Sequence, residues 1–226
     1  MPFNPNLMYE STLSLAEIQT ARNDLARART EYNRLTTGAP DQYRDQVLFR
    51  LAELDYFEAQ FDSSIAILKR ISSNLSGDLT NDALQLLYFI QEHQVAGPEA
   101  LKAFAHADLL VRQRKYSEAL ALFQSVVAQY ASTPLVDDAM MRIGKLQLLL
   151  KHPNDALSVY NKVVHDMPTS ILRDHAQMQI GEIYERTLNN KQKAIEAYEQ
   201  LLADFPTSLF VEEARKRIRI LRGDSI

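Results

Sequence analysis

Five histidines, a few carboxylates and a run of cations are the residues of this chain whose types could support chemistry. His93, His106, His152, His165 and His175 would suit a metal if two stood one helical turn apart or in a His-Glu-x-x-His sequence. None do, so no metal site is expected, and His106 is expected against the core. Glu182 and Glu185, with Glu53 far away in sequence, would pair for acid–base catalysis. They lack an accompanying nucleophile, oxyanion loop or glycine-rich phosphate cradle, and helical surfaces carry such pairs routinely. The chain is therefore read as having no catalytic residues and no cofactor. Arg215, Lys216, Arg217, Arg219 and Arg222 would suit a nucleic acid or a lipid headgroup. No aromatic residue interleaves them, Glu212 and Glu213 stand beside them, and cations near a helix C-terminus complement its dipole. They are read as the solvated face of a closing helix.

The elements that hold these residues are helical. At 226 residues the chain can bury a sizeable core, and 46% hydrophobic with 24% charged residues excludes disorder. A formal net charge of −4 argues against a general polyanion binder. Cysteine is absent, which removes disulfides and thiolate sites but leaves the compartment open. Met1 to Asn6 has no basic or long apolar segment, and nowhere do about 18 apolar residues run together. The expected protein is soluble. It is cytoplasmic, or periplasmic or cell-envelope-associated if a signal or lipid anchor was removed. Only six glycines and eight prolines, among plentiful Ala, Leu, Glu, Gln and Arg, point to an all-α fold.

The helices come as a repeat. Ala156, Tyr160, Pro168-Thr169-Ser170 and Ala176 recur 38 residues later as Ala194, Tyr198, Pro206-Thr207-Ser208 and Ala214. A fixed period of this size means stacked supersecondary units that bury their apolar faces only against neighbours. Taking the small residue of each second helix as an anchor gives Ala28, Ser64, Ala119, Ala156 and Ala194. Four residues on stand Tyr32, Leu68, Phe123, Tyr160 and Tyr198; twelve or thirteen before stand Ala16, Ala52, Ala107, Gly144 and Gly181. The small residues let paired helices approach, and the large ones fill the space between successive hairpins. The anchor interval of 55 between Ser64 and Ala119 leaves room for one extra helix, apolar on more than one side, with a bend or seam near it.

This pattern resembles the tetratricopeptide repeat, with Pro40, Pro168 and Pro206 each twelve residues after an anchor. Its longer period and Pro-Thr-Ser endings are similar to the bacterial variant seen in the Tol-Pal coordinator and in the lipoprotein of the outer-membrane barrel-assembly machinery. The resemblance implies an all-α, right-handed superhelix of about five hairpins, one extra helix and a C-terminal capping helix. The domain reading is two hairpins over 7–74, the intercalated helix at 79–94, and three hairpins with the capping helix over 98–222, as one continuous array.

The resemblance also implies a scaffold that binds a protein or peptide partner in a concave groove lined by the first helix of each hairpin. Carried across by register, that groove takes Gln46, Phe49, Arg50, Glu53 and Tyr56, then Phe104, Asp108 and Arg112. Met141, Arg142 and Lys145 follow, with His175, Met178, Gln179, Glu182 and Arg186. Phe49, Tyr56 and Met178 are the expected apolar anchors. Glu53, Asp108, Asp138 and Arg142 stand where clamps for chaperone tails resemble one another in Lys and Asn, so a chaperone-tail clamp is not implied. No nucleic-acid partner and no membrane span are expected. A second reading is a structural module that oligomerises or completes a larger array, because the first hairpin has no evident N-terminal cap and its edge would accept another repeat or subunit.

Overall fold

The computed structural model describes residues 5–37, 41–74 and 77–224. Among them all regular structure is helical. The first helices are α1 (Pro5–Ala21), α2 (Leu25–Thr36), α3 (Asp41–Phe57), α4 (Phe61–Ser72), α5 (Thr80–Ala96) and α6 (Pro98–Arg112). They are followed by α7 (Tyr116–Gln129), α8 (Leu135–Leu149), α9 (Pro153–Asp166), α10 (Arg173–Glu182), α11 (Lys191–Asp204) and α12 (Val211–Arg222), and a π-helical turn, Ile183–Thr187, continues α10. These are five hairpins, the extra helix α5 and the closing helix α12, an α–α solenoid.

One turn is used five times. Asn23, Ala59, Arg114, Lys151 and Asn189 have φ between 50° and 67°, and each lies five residues before its hairpin's anchor. A single left-handed residue ends each first helix and sends the chain into the second. The next residue caps where it can: the Asp24 and Asn190 side chains accept from the backbone N–H of Arg27 and Lys193. Elsewhere Pro98 and Pro153 open α6 and α9, where the missing N–H costs nothing.

The chain divides into two compact units, Met1–Ala119 and Leu120–Ile226, with α7 crossing the boundary. In the first unit consecutive helices pack from α1 to α6, and α6 also returns against α3. A buried charge ties α2 to α3. Asp55 is 1% exposed; it receives Arg29 Nη1 at 2.6 Å and the Ser63 hydroxyl at 2.5 Å, and Arg29 also pairs with Glu58. Burial opposes the Arg29 charge, but Glu58 and Asp55 outweigh it and raise its pKa. Helix α5 contributes Phe89, whose ring lies 5.1 Å from Phe104, 4.7 Å from His93 and 6.4 Å from Tyr56. His106, expected in the core, is instead exposed; its neighbours Ala105 and Ala107 face inward, and the buried histidine is His93.

The second unit shows why the anchor code needs glycine. A Cβ on Gly144 would stand 2.5 Å from Cζ of Tyr160, and one on Gly181 would stand 2.3 Å from Cε1 of Tyr198. Each tyrosine therefore lies on the first helix of its own hairpin, and Tyr160 also shares a cluster with Ala176 and Ile180 of α10. The expected space-filling role between hairpins thus combines with one inside the hairpin.

The hairpin α10–α11 carries one residue more than its neighbour, thirteen instead of twelve between glycine and anchor. The π turn absorbs it. Where four hairpins close with an N–H bonding the carbonyl five residues back, as His152 does to Gln147, Asn190 bonds Tyr184 six residues back.

Candidate functional site

In the first unit the first-helix residues of α1, α3 and α6 meet through charge. Glu17 Oε1 accepts from Arg50 Nε at 3.2 Å and lies 3.4 Å from Arg112 Nη2. Arg50 Nη1 also donates to Glu53 at 2.6 Å, and the Tyr56 hydroxyl donates to Asp108 at 3.0 Å. Burial works against the Arg50 charge, but Glu53 and Glu17 prevail and its pKa rises. Of the groove residues expected from register, Arg50, Glu53 and Arg112 are thus brought together, and Tyr56 and Asp108 are joined to each other. Glu17 joins two of them and was not foreseen, because its partners lie 33 and 95 residues away.

Two of the expected apolar contacts in this unit are core residues. Tyr56 and Phe104 are buried in the first unit, because α6 returns against α3 and Phe89 of α5 fills the space beside both rings. Neither offers its ring to a partner. Gln46 and Phe49 are half-buried, and Phe49 packs along the edge of the α3–α6 core.

In the second unit the faces of α8, α10 and α12 adjoin. Ser170, just before α10, donates to Asp137 of α8 at 2.6 Å, and the His175 ring stacks on Phe210, just before α12, at 5.2 Å. Burial lowers the His175 pKa and the Lys145 charge adds to this, while Asp174 and Glu182 act in the opposite direction. Glu182 accepts from Gln179 at 2.9 Å and pairs with Arg186 at 3.1 Å. Lys145 and Arg142 are exposed, and Met141 is half-buried against the α9–α10 cluster. Met178 is again a correction: it is buried with Ala194, Tyr198 and Ile218, because its turn of α10 faces α11 and α12.

Glu182 and Glu185 are engaged by different partners. Glu182 faces the residues just described, whereas Glu185, on the π turn, accepts from the Tyr198 hydroxyl at 2.6 Å and pairs with Arg217 at 3.3 Å. Burial, then the bond to Glu185, raises the Tyr198 pKa. Arg217, one of the basic run, is further engaged by Glu213 at 2.7 Å, and Arg215 and Arg222 pair with Glu212 and Glu199. Three cations of that run, Arg215, Arg217 and Arg222, thus pair with carboxylates of α12, the π turn and α11, while Lys216 and Arg219 are exposed.

Among the described residues, no helix is long and apolar enough to cross a membrane.

Two family models described as tetratricopeptide repeat match the chain, one over residues 104–170 and the other over 175–208. A solved tetratricopeptide repeat protein from Parabacteroides merdae is similar over 95% of this chain and 73% of its own, with 13% identity and a TM-score of 0.43. No curated protein matches.

Proposed function

Because this chain is a tetratricopeptide repeat protein, and such repeats serve as protein-interaction scaffolds, we propose that it is a non-enzymatic scaffold. It holds an extended segment or helix of a partner protein against its first helices. The observation that carries this reading is the α8–α10 face. The first helices α8 and α10 carry exposed Lys145 and Arg142 and half-exposed Gln179, Glu182 and Met141, Arg186 on the π turn is exposed, and the charges of Lys145, Asp174 and Glu182 act on His175 of the His175–Phe210 stack. An apolar, stacked centre with a mixed-charge rim suits a peptide that brings one or two apolar side chains and both signs of charge. The equivalent face of the first unit has most of its charges paired within the chain, which makes Gln46 and Phe49 the contacts it contributes.

A photo-cross-linking residue placed at Gln179 tests the reading against one at Gln200 on the exposed side of α11. In lysate of the source organism, position 179 is expected to capture a partner polypeptide that position 200 does not. Charge reversal at Lys145 is expected to weaken that capture. Capture at 200 alone would overturn the assignment.

A further inference from the structure

Helix α1 is apolar on two opposite sides. Tyr9, Ala16 and Thr20 are buried toward the α1–α2 core, but on the other side Leu7 is 64% exposed, Leu15 43% and Ile18 48%. At about 100° per residue, Leu7, Ser11, Leu15 and Ile18 fall within one stripe, and Met8 adjoins it. The two charges of α1 avoid the stripe: Glu10 accepts from the Tyr43 hydroxyl at 3.1 Å, and Glu17 meets Arg50 and Arg112.

The repeat register identifies what this stripe is. Setting Ala16 on Ala52 places Ser11, Leu15 and Ile18 on Val47, Leu51 and Leu54 of α3, all at most 6% exposed and clustered with Tyr32 and Leu35 of α2. Setting Ala16 on Gly181 places them on Ala176, Ile180 and Ile183, buried with Tyr160, Val163 and Val164 of α9. In α12, Ala214 and Ile218 are likewise buried with Tyr198 and Leu201 of α11. In each case the preceding second helix covers these positions; on α1 they are open.

We infer that the Leu7–Ser11–Leu15–Ile18 stripe is a docking seat for the second helix of another tetratricopeptide hairpin, one presenting an aromatic and branched apolar face like that of α9. A second copy of this chain does not supply that face. Its second helices α2, α4, α9 and α11 already have α3, α5, α10 and α12 against them, Ala119, Phe123 and Val126 of the remaining second helix, α7, are buried, and the outward side of α12 carries exposed Arg215, Lys216 and Arg219. The inference is independent of the α8–α10 face.

The test supplies the missing helix in register. Residues 135–171, the α8–α9 hairpin and its connection, are joined directly to Leu7, which puts α1 where α10 stands after α9. Amide exchange in α1 is expected to slow at least about tenfold relative to the unfused chain. Leu15→Asp with Ile18→Asp is expected to cancel that protection while leaving the unfused chain's urea midpoint unchanged. No slowing in the fusion, whether the added hairpin stays unfolded or folds without docking, overturns the inference. So does an unfused chain that sediments as a dimer and becomes a monomer with the two substitutions, since a second copy would then be the occupant.

Discussion

Tyr198 lies on Gly181 so closely that one added methyl carbon would stand 2.3 Å from its ring. The pair fixes the separation of α10 and α11. Gly181→Ala is expected to lower stability by about 1–3 kcal/mol in urea unfolding, despite the roughly 1 kcal/mol that alanine gains in a helix interior. The double variant with Tyr198→Leu should recover part of the loss, because Ala52 and Leu68 occupy the same two places in α3–α4. Equal losses in the single and double variants would deny the coupling.

The five left-handed turn residues invite the opposite kind of substitution. Ala59 and Lys151 hold φ of 58° and 67° with a Cβ that this region disfavours. Ala59→Gly and Lys151→Gly should each raise stability by about 1 kcal/mol, whereas Asn23→Gly and Asn189→Gly should change it little. Thermal unfolding of the four variants separates these outcomes.

Arg29 neutralises a carboxylate that water does not reach. Its replacement by Ala leaves Asp55 buried without its cation and is expected to cost about 2–3 kcal/mol, below the full cost of breaking a buried pair because Arg29 itself is part-exposed. Arg34→Ala, which removes an exposed pair with Glu31, should cost less than about 0.5 kcal/mol. The ratio of the two, read from denaturation midpoints, is the check.

His175 gives the second unit a pH dependence of defined sign. Burial puts its folded pKa below the usual 6.5, so the unfolded chain binds the proton more readily. The stabilisation from the neutral ring is complete above pH 6.5 and is lost as pH falls through the folded value. His175→Gln should flatten that part of the stability profile, and an NMR titration should place the His175 midpoint below 6.5.

The hairpins were legible in the sequence because their packing is local and repeated. Ala28, Ala156 and Ala194 recur with a large residue four positions on, and the surplus between Ser64 and Ala119 is the length of α5. The candidate face was legible only in part. Register predicts which side of a helix a residue occupies, but not whether another helix will close over it. That is how Tyr56 and Phe104 came to lie in the core, where α6 turns back on α3. Glu17 left no signal, since its meaning depends on cations brought to it from two other helices.

The π turn has a consequence for anyone who recombines these repeats. Up to Gly181 the hairpin α10–α11 shares a numbering frame with α8–α9; from Asn189 onward it runs one residue ahead. A chimera cut before Ile183 or after Asn189 keeps the insertion whole with its parent. A crossover inside the turn splits it and shifts every downstream side chain by about 100° of azimuth. Glu185, Tyr198 and Arg217 would then no longer meet, so the three travel as one inheritable block.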